Sequence, residues 1–374
     1  MTDAASLSSP IFTGPDRLKL GVFHMNCTGG ATPSTAEGGI NPLEWSQQVR
    51  IAQLADRAGF DAFIPIARWR GYGGPSKFND EQYEAIPWAA AISALTERIA
   101  VFATAHVPLI HPVRLAKEVA TLDHISGGRF CLNVVAGWNQ RELDMFGVDL
   151  IPHDERYTVA GEWIRFLEKL WVETEEFDFD GTYFRSKGAL SDPKPIQRPR
   201  VPIMSAGSSP AGVAFAAEYA DICFAVADSP ETLQPLVARI KDAAAERGRT
   251  VEVWTQVGVI CGDTEDDVSR QYNHIVREHG DVEAVTNQMT MLMGGGGKTL
   301  DFKLDPAMLE RMMAMQHSYQ LFGTPEQIVK KMQQLADLGV DGMSMIWPDY
   351  ETGIARFRDA VIPLAVQAGL RSAG

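Results

Sequence analysis

Eight short, largely apolar runs, separated by loops and helix-like stretches, set the tightest limit on how this chain can fold. They are KLGVFHM from Lys19, FDAFIPI from Phe60, IAVFATAHV from Ile99, FCLNVVAG from Phe130, PIMSAG from Pro202, DICFAVA from Asp221, VEVWTQVGVI from Val251 and GMSMIW from Gly342. Several are continuous rather than alternating in polarity. A strand that is apolar on both faces must be covered on both faces, which is the condition of a parallel sheet sheathed in helices. Between the runs, apolar residues recur at helical spacing. Helices are predicted from Pro42 to Ala58, stopped by Gly59, from Ile86 to Leu95, and from Pro112 to Ile125. Others run from His153 to Trp171, from Ala211 to Tyr219, up to Arg247, and from Glu326 to Leu338. Eight strand–helix units fit a closed barrel or an open doubly wound sheet, and the strand count favours the barrel. The predicted fold is α/β: a (β/α)8 TIM barrel with an insertion after the seventh strand.

Composition narrows the function classes. The 374 residues, 45% hydrophobic, suffice for one large core. A net charge of -14 repels phosphate backbones, so no nucleic-acid partner is expected. The four cysteines form no CxxC pair and read as buried, reduced thiols of a cytoplasmic protein. No apolar run approaches the roughly 20 residues of a membrane span. The opening MTDAASLSSPIFTGPD lacks the parts of a signal peptide, and residues 1–18 read as a polar tail before a barrel over 19–374.

Two segments break the rhythm. Residues 173–200 look like an excursion with a hairpin around Asp180-Gly181. Residues 264–322 are too long for one barrel helix, rich in Met, and carry GGGG at 294–297. They are either a disordered surface loop or a lid over the barrel mouth, since they follow a strand and so start on the active-site face.

In a barrel the loops after the strands build the site. The residues to weigh are therefore His24, Asn26, Arg68, Arg70, Thr104, His106, Asn133, Glu142, Ser208, Ser209 and Trp347. SAGSSPAG, from Ser205, joins a strand to a helix through small residues. Its backbone amides and Ser209 could cradle a phosphate, although a serine N-cap needs no ligand. HDERY, from His153, sets Arg156 and Tyr157 at another helix start, where Asp154 and Glu155 alone would suit the helix dipole. No GxSxG elbow, HExxH or HxH spacing occurs, and the early strand ends hold few carboxylates.

LDHISGGRFCLNVVAGW, HDERY, SAGSSPAG and LFGTPEQI, in this order, resemble the bacterial-luciferase-like flavin-dependent monooxygenase family, from about Lys19 to the C-terminus. RWRGYGG, ISGGRF and AGWNQRE are closest in look to its pyrimidine monooxygenase subgroup, and the dimethyl sulfone monooxygenase subgroup comes next, sharing AGW-like and HDERY segments. The resemblance implies reduced FMN supplied by a flavin reductase, O2, a small-molecule substrate and a homo-oligomer, dimer or tetramer. It implies FMN contacts at Ala67, Arg68, Asn133, Glu142, Arg156, Tyr157 and Ser209. Ser209, Arg156 and Tyr157 suit the phosphate and ribityl. Asn133 and Glu142 suit the polar flavin edge and ribityl, and Ala67-Arg68 would give backbone beside the ring. Thr104 is the catalytic candidate, hydrogen-bonding near the oxygen-reacting atoms, unless it only fills the barrel. Alkanesulfonate members carry Arg and His where Gln256 and Gly258 stand here, which speaks against a sulfonate pocket. The activity implied is oxygenation of a small molecule, such as a pyrimidine-like heterocyclic amide with ring opening. The alternatives are C–S cleavage of a sulfone or sulfonate, a deazaflavin-dependent oxidoreductase, and a flavin binder without turnover.

Overall fold

The computed structural model describes residues 7–293, 305–316 and 318–372. Its strands are β1 (Lys19–Phe23), β2 (Ala62–Ile64), β3 (Ala100–His106), β4 (Phe130–Val135), β5 (Phe177–Asp180), β6 (Arg185–Ala189), β7 (Ile203–Ala206), β8 (Ile222–Ala225), β9 (Glu252–Cys261), β10 (Tyr319–Gly323) and β11 (Gly342–Ile346). Eight of them, β1, β2, β3, β4, β7, β8, β9 and β11, pair in parallel in that order, and β11 closes the ring onto β1. This is the predicted (β/α)8 barrel. The continuous apolar runs are explained by burial on both faces: every residue of β1, β3 and β11 is buried.

Side chains alternate inward and outward along each strand. Trp254 of β9 fills the lower barrel, and it fits because β1 and β11 present Gly21 and Gly342 to it. A Cβ on Gly21 would lie 3.0 Å from the indole, and one on Gly342 would collide with it. The inward row of β9 then runs on to Gln256, near the open end.

The lower rim is fixed by one arrangement used three times. Asp61, Asp221 and Asp341 stand just before β2, β8 and β11. Each donates its backbone N–H to a residue of the neighbouring strand region: to Leu20, Ile203 and Val253 O at 2.7, 2.8 and 2.8 Å. Each carboxylate then accepts the same partner's N–H, at 2.6, 2.9 and 2.8 Å. A basic residue neutralises each: Arg371 at Asp61, Arg200 and Arg249 at Asp221, Lys241 at Asp341.

Helices begin where side chains satisfy their first N–H groups. Ser209, Ser229 and Thr324 each cap a helix whose next residue is Pro, giving Pro210–Tyr219, Pro230–Ala245 and Pro325–Asp337. The predicted hairpin is present as β5 and β6. Residues 7–18 are less tail-like than the sequence suggests: they hold a turn of helix, Pro10–Thr13, with Ile11 and Leu18 buried.

The long segment after β9 departs most from expectation. It contains the helices Glu265–Tyr272, Val282–Met293 and Pro306–Met313, and it ends in β10, a ninth parallel strand the sequence reading did not foresee. Val257 and Gly258 pair with both β10 and β11, so β10 lies on the β8 side of β9 and takes over where β8 ends. Lys331 donates to the carbonyls of Gln320 and Phe322, supplying bonds that a strand edge otherwise lacks. The GGGG run at 294–297 lies outside the described residues. Among the described residues no helix is long and apolar enough to cross a membrane.

Removing Asp221 takes a buried carboxylate from between two guanidinium groups, and leaves Arg200 with only its Glu168 ion pair. Asp221→Ala is expected to lower stability by about 3–5 kcal/mol in urea unfolding. Asp337→Ala, which loses only the exposed pair with Arg17, is expected to cost less than about 1 kcal/mol. Similar losses in the two variants would mean that the rim clamp contributes little.

Candidate active site

At the C-terminal end of the barrel strands the inward rows open into a cavity of about 490 Å³, within the size range of small-molecule sites. Phe23, Ile64, Met204 and Phe224 contribute an apolar base, and Ala67, Arg68, Thr104, His106 and Asn133 line one flank. Gln256 faces them from β9, which lies across the barrel from β3. Gln288, Met289, Leu292, Met308, Met312 and Gln316, all from the segment after β9, roof it.

Thr104 and Asn133 are direct partners across β3 and β4. Asn133 Nδ2 donates to Thr104 Oγ1 at 3.0 Å, and that hydroxyl donates its proton to Pro65 O at 2.6 Å. Thr104 therefore presents an acceptor, not a donor, as long as the Pro65 bond holds. Asn133 Oδ1 has no partner among the described residues. The pair offers hydrogen-bond acceptors to whatever occupies this flank.

Arg68 is the buried cation of the cavity. Its guanidinium lies 4.9 Å from the Tyr72 ring centroid and 5.2 Å from that of Trp138. Nε and Nη1 are buried without hydrogen-bond partners, and Glu142 Oε1 stands 3.8 Å from Nη1. That same carboxylate oxygen accepts from the N–H groups of Trp69 and Arg70 at 3.0 and 3.3 Å. Glu142 thus fastens the loop after β2 and sits behind Arg68 rather than on the cavity wall. Burial, and then the positive charge of Arg68, depress two histidines: His24 to about 3 and His106 to about 4. Both are neutral at physiological pH. His24 also holds a left-handed backbone, φ 63°, which few non-glycine residues adopt.

A second polar centre lies between the starts of two helices. Ser209 Oγ accepts from Gly212 N at 3.1 Å, so the plain helix cap is real, and its proton stays free to donate. Gly207 and Gly212 abut: a Cβ on Gly207 would lie 3.0 Å from Gly212 Cα and 2.9 Å from Tyr157 Oη. Tyr157 therefore stands directly over the SAGSSPAG turn. Arg156 donates from Nη1 to Gly137 O at 2.8 Å, and its Nε is buried and unpartnered.

Other candidates are drawn elsewhere. Asn26 holds Ile66 by both its N–H and its carbonyl, and also bonds Tyr83 O, a structural role. Trp347 packs among Phe60, Tyr350 and Phe357 instead of facing the mouth. Arg70 is exposed, and Ser208 accepts at its carbonyl from Arg239. Sequence reasoning missed Tyr72, Trp138, Gln288 and Gln316. Tyr72, inside RWRGYGG, and Trp138, inside AGW, carried a usable signal; Gln288 and Gln316 come from a segment without strand or motif cues. Gly258 has a steric reason: its Cβ would meet Ser318 Oγ at 2.7 Å and Met315 at 3.1 Å. Met315 and Gln316 above it both hold positive φ, 63° and 56°.

The family described as luciferase-like monooxygenase matches residues 18–342. The pyrimidine monooxygenase RutA of Cronobacter turicensis is 31% identical over 359 residues, covering 93% of this chain and 92% of that protein. The FMNH2-dependent dimethylsulfone monooxygenase of Pseudomonas putida is 30% identical over 353 residues, 93% and 95% of the two chains. Among solved structures, riboflavin lyase RcaE, with modified FMN and riboflavin, superposes with a TM-score of 0.83 at 21% identity, covering 96% of this chain and 93% of that one.

The neutral histidines give a measurable pH dependence. His106 binds a proton near 6.5 when unfolded and only near 4 when folded. The unfolded chain therefore holds more protons between these values, and stability falls as pH drops through that window. From pH 6 to pH 5, wild type is expected to lose about 1 kcal/mol more than His106→Gln in urea unfolding. Parallel losses in the two proteins would mean that His106 titrates normally in the folded state.

Proposed function

The chain belongs to the luciferase-like monooxygenase family, and from that premise we propose that it oxygenates a small, uncharged organic molecule with reduced FMN and O2. The observation that carries this reading is the matched pair of polar centres on one side of the barrel. One is the acceptor pair Thr104–Asn133 beside Arg68, whose Nε and Nη1 lack hydrogen-bond partners; the other is the glycine turn under Tyr157, with Ser209 and Arg156. These features fit the cofactor's chemistry. A phosphate dianion needs donors and room near the backbone, which Ser209, Arg156 and the facing Gly207 and Gly212 offer. A reduced flavin ring carries N–H donors that the Thr104 hydroxyl oxygen and the free Asn133 Oδ1 can accept, and negative character that suits Arg68. Ser209, Arg156 and Tyr157 would hold the phosphate end, and Asn133, Thr104 and Arg68 the ring. Glu142 would act through Arg68 and the loop after β2.

Reduced FMN, when bound, supplies the electrons that activate O2 for transfer of one oxygen atom to the substrate. The protein contributes position and dryness. Thr104 and Asn133 fix an edge of the ring, the neutral His24 and His106 offer no ready proton, and Met289, Met308 and Met312 exclude water from above. Reduced flavin would come from a separate flavin reductase, in keeping with the FMNH2-dependent relative. On the opposite wall, Gln256, Gln288 and Gln316 present carboxamides and no charge. Carboxamides pair with the C=O and N–H of a cyclic amide, which supports a pyrimidine-like heterocycle, opened by oxygenation, over a sulfonate. A sulfone is the second reading, carried by the dimethylsulfone relative.

Two measurements test this. Purified protein is supplied with photoreduced FMN and 18O2, together with uracil-type amides or dimethyl sulfone, and products are read by mass spectrometry. Label is expected in an amide product; no labelled product from either class would count against the reading. In the second, Arg156→Ala is expected to weaken FMN about ten- to hundred-fold, from loss of a charge-assisted bond of about 1.5–3 kcal/mol, and to weaken riboflavin far less. Ser209→Ala should act in the same direction but more weakly, because the turn's amides remain. Equal losses for FMN and riboflavin would put the phosphate elsewhere.

A further inference from the structure

Outside the cavity, three metal-ligating side chains converge on a stretch of π-helix, Asn273–Glu278, that continues the helix Glu265–Tyr272. Such turns are rare and recur at functional sites. The wider winding leaves residues i+4 and i+5 flanking residue i, so Glu278 and His279 both come beside His274. The His279 N–H donates to His274 O at 3.1 Å, and the two imidazole centroids lie 4.5 Å apart. Glu278 Oε2 is 3.2 Å from His274 Nδ1. One ligand atom from each residue lies within 4.8 Å of the others. We propose that His274, Glu278 and His279 form a binding site for a divalent transition-metal ion, zinc in the first instance, at the root of the segment that roofs the cavity.

The donor set suits that ion. Two imidazoles and a carboxylate are a common three-ligand zinc set, with water in the fourth position. The site is also braced before any ion arrives. Ser34 Oγ donates to the carbonyls of Ile275 and His279 at 2.8 and 3.2 Å, and Thr35 N–H donates to His279 O at 2.9 Å. Thr35 Oγ1 lies 3.4 Å from His279 Nδ1, where it can orient the ring as partners of metal-bound histidines do. Arg277, next to Glu278 in sequence, is drawn aside: it bonds Glu310 and Asn273. His274 and Glu278 could form a plain surface ion pair, but that pair would not require His279, whose ring is held beside theirs by the loop 32–36. The turn leads through Asp281 into the helix Val282–Met293, which carries Gln288, Met289 and Leu292 over the cavity. An ion here would brace the roof from outside the chemistry.

The test uses untagged protein, stripped with chelator and titrated with zinc chloride by calorimetry at pH 7.5. One saturable site is expected. His274→Ala and His279→Ala should each weaken it at least ten-fold, and Glu278→Gln several-fold. His124→Ala, an exposed histidine far along the chain, should leave it unchanged. Zinc should raise the thermal midpoint of wild type but not of His279→Ala. No saturable binding, or a site unaffected by both histidine variants, would overturn the proposal. A site lost with His274 but kept in His279→Ala would do so too, since it would leave only the helical ion pair.

Discussion

A parallel barrel must hold the starts of its strands in register without any hairpin to do so, and in this chain three aspartates carry that burden. Asp61, Asp221 and Asp341 each clasp one residue of the adjacent strand region through a backbone N–H and a carboxylate. Each carboxylate lies beside a cation that offsets the cost of burying it. Because these clamps sit at the strand starts, the opposite ends carry no such obligation. The loops there can diverge, and the polar groups of the mouth can remain unpaired. Stability and function are thereby separated along the barrel axis.

The strand order then divides the mouth itself. Going round from β2 through β3 and β4 to β7, one meets Arg68, Thr104, Asn133 and the SAGSSPAG turn. Across the barrel stand Gln256 and the helical roof. Under the proposed function, a long, flat cofactor with one charged end would find its contacts along the first arc. The second arc, uncharged and partly thioether, shapes what reacts with it. Methionine is an adaptable lining, and the positive φ values at Met315 and Gln316 mark where the roof is bent to reach Gly258.

Much of this was legible in the sequence, for particular reasons. The barrel could be read because burial on both faces writes itself as unbroken apolar runs, and the helix starts because Ser-Pro and Thr-Pro are local signals. Thr104 and Asn133 could be named, but not their pairing, since register between strands far apart in sequence leaves no local trace. Glu142 could be named too, yet its hold on the N–H groups of Trp69 and Arg70 depends on how two loops meet. Trp347 misled because a strand end can turn toward the helices as readily as toward the mouth. The strand β10 was hidden because YQLFG alternates between buried and half-buried residues and follows a stretch with no strand rhythm. Even a telling motif can speak of architecture: in ISGGRF, Arg129 binds the carbonyls of Ser93, Thr96 and Ile99, well away from the site.

Trp254, wedged between Gly21 and Gly342, makes the barrel a vessel with one opening. Nothing the size of a substrate passes through its base, so whatever reaches the inner wall must enter by the rim and leave by it. Molecules that share a single doorway queue: the one bound deeper cannot depart before the one above it. Under the proposed function, the order of arrival and release would then be a property of the architecture, set by a tryptophan outside the cavity lining.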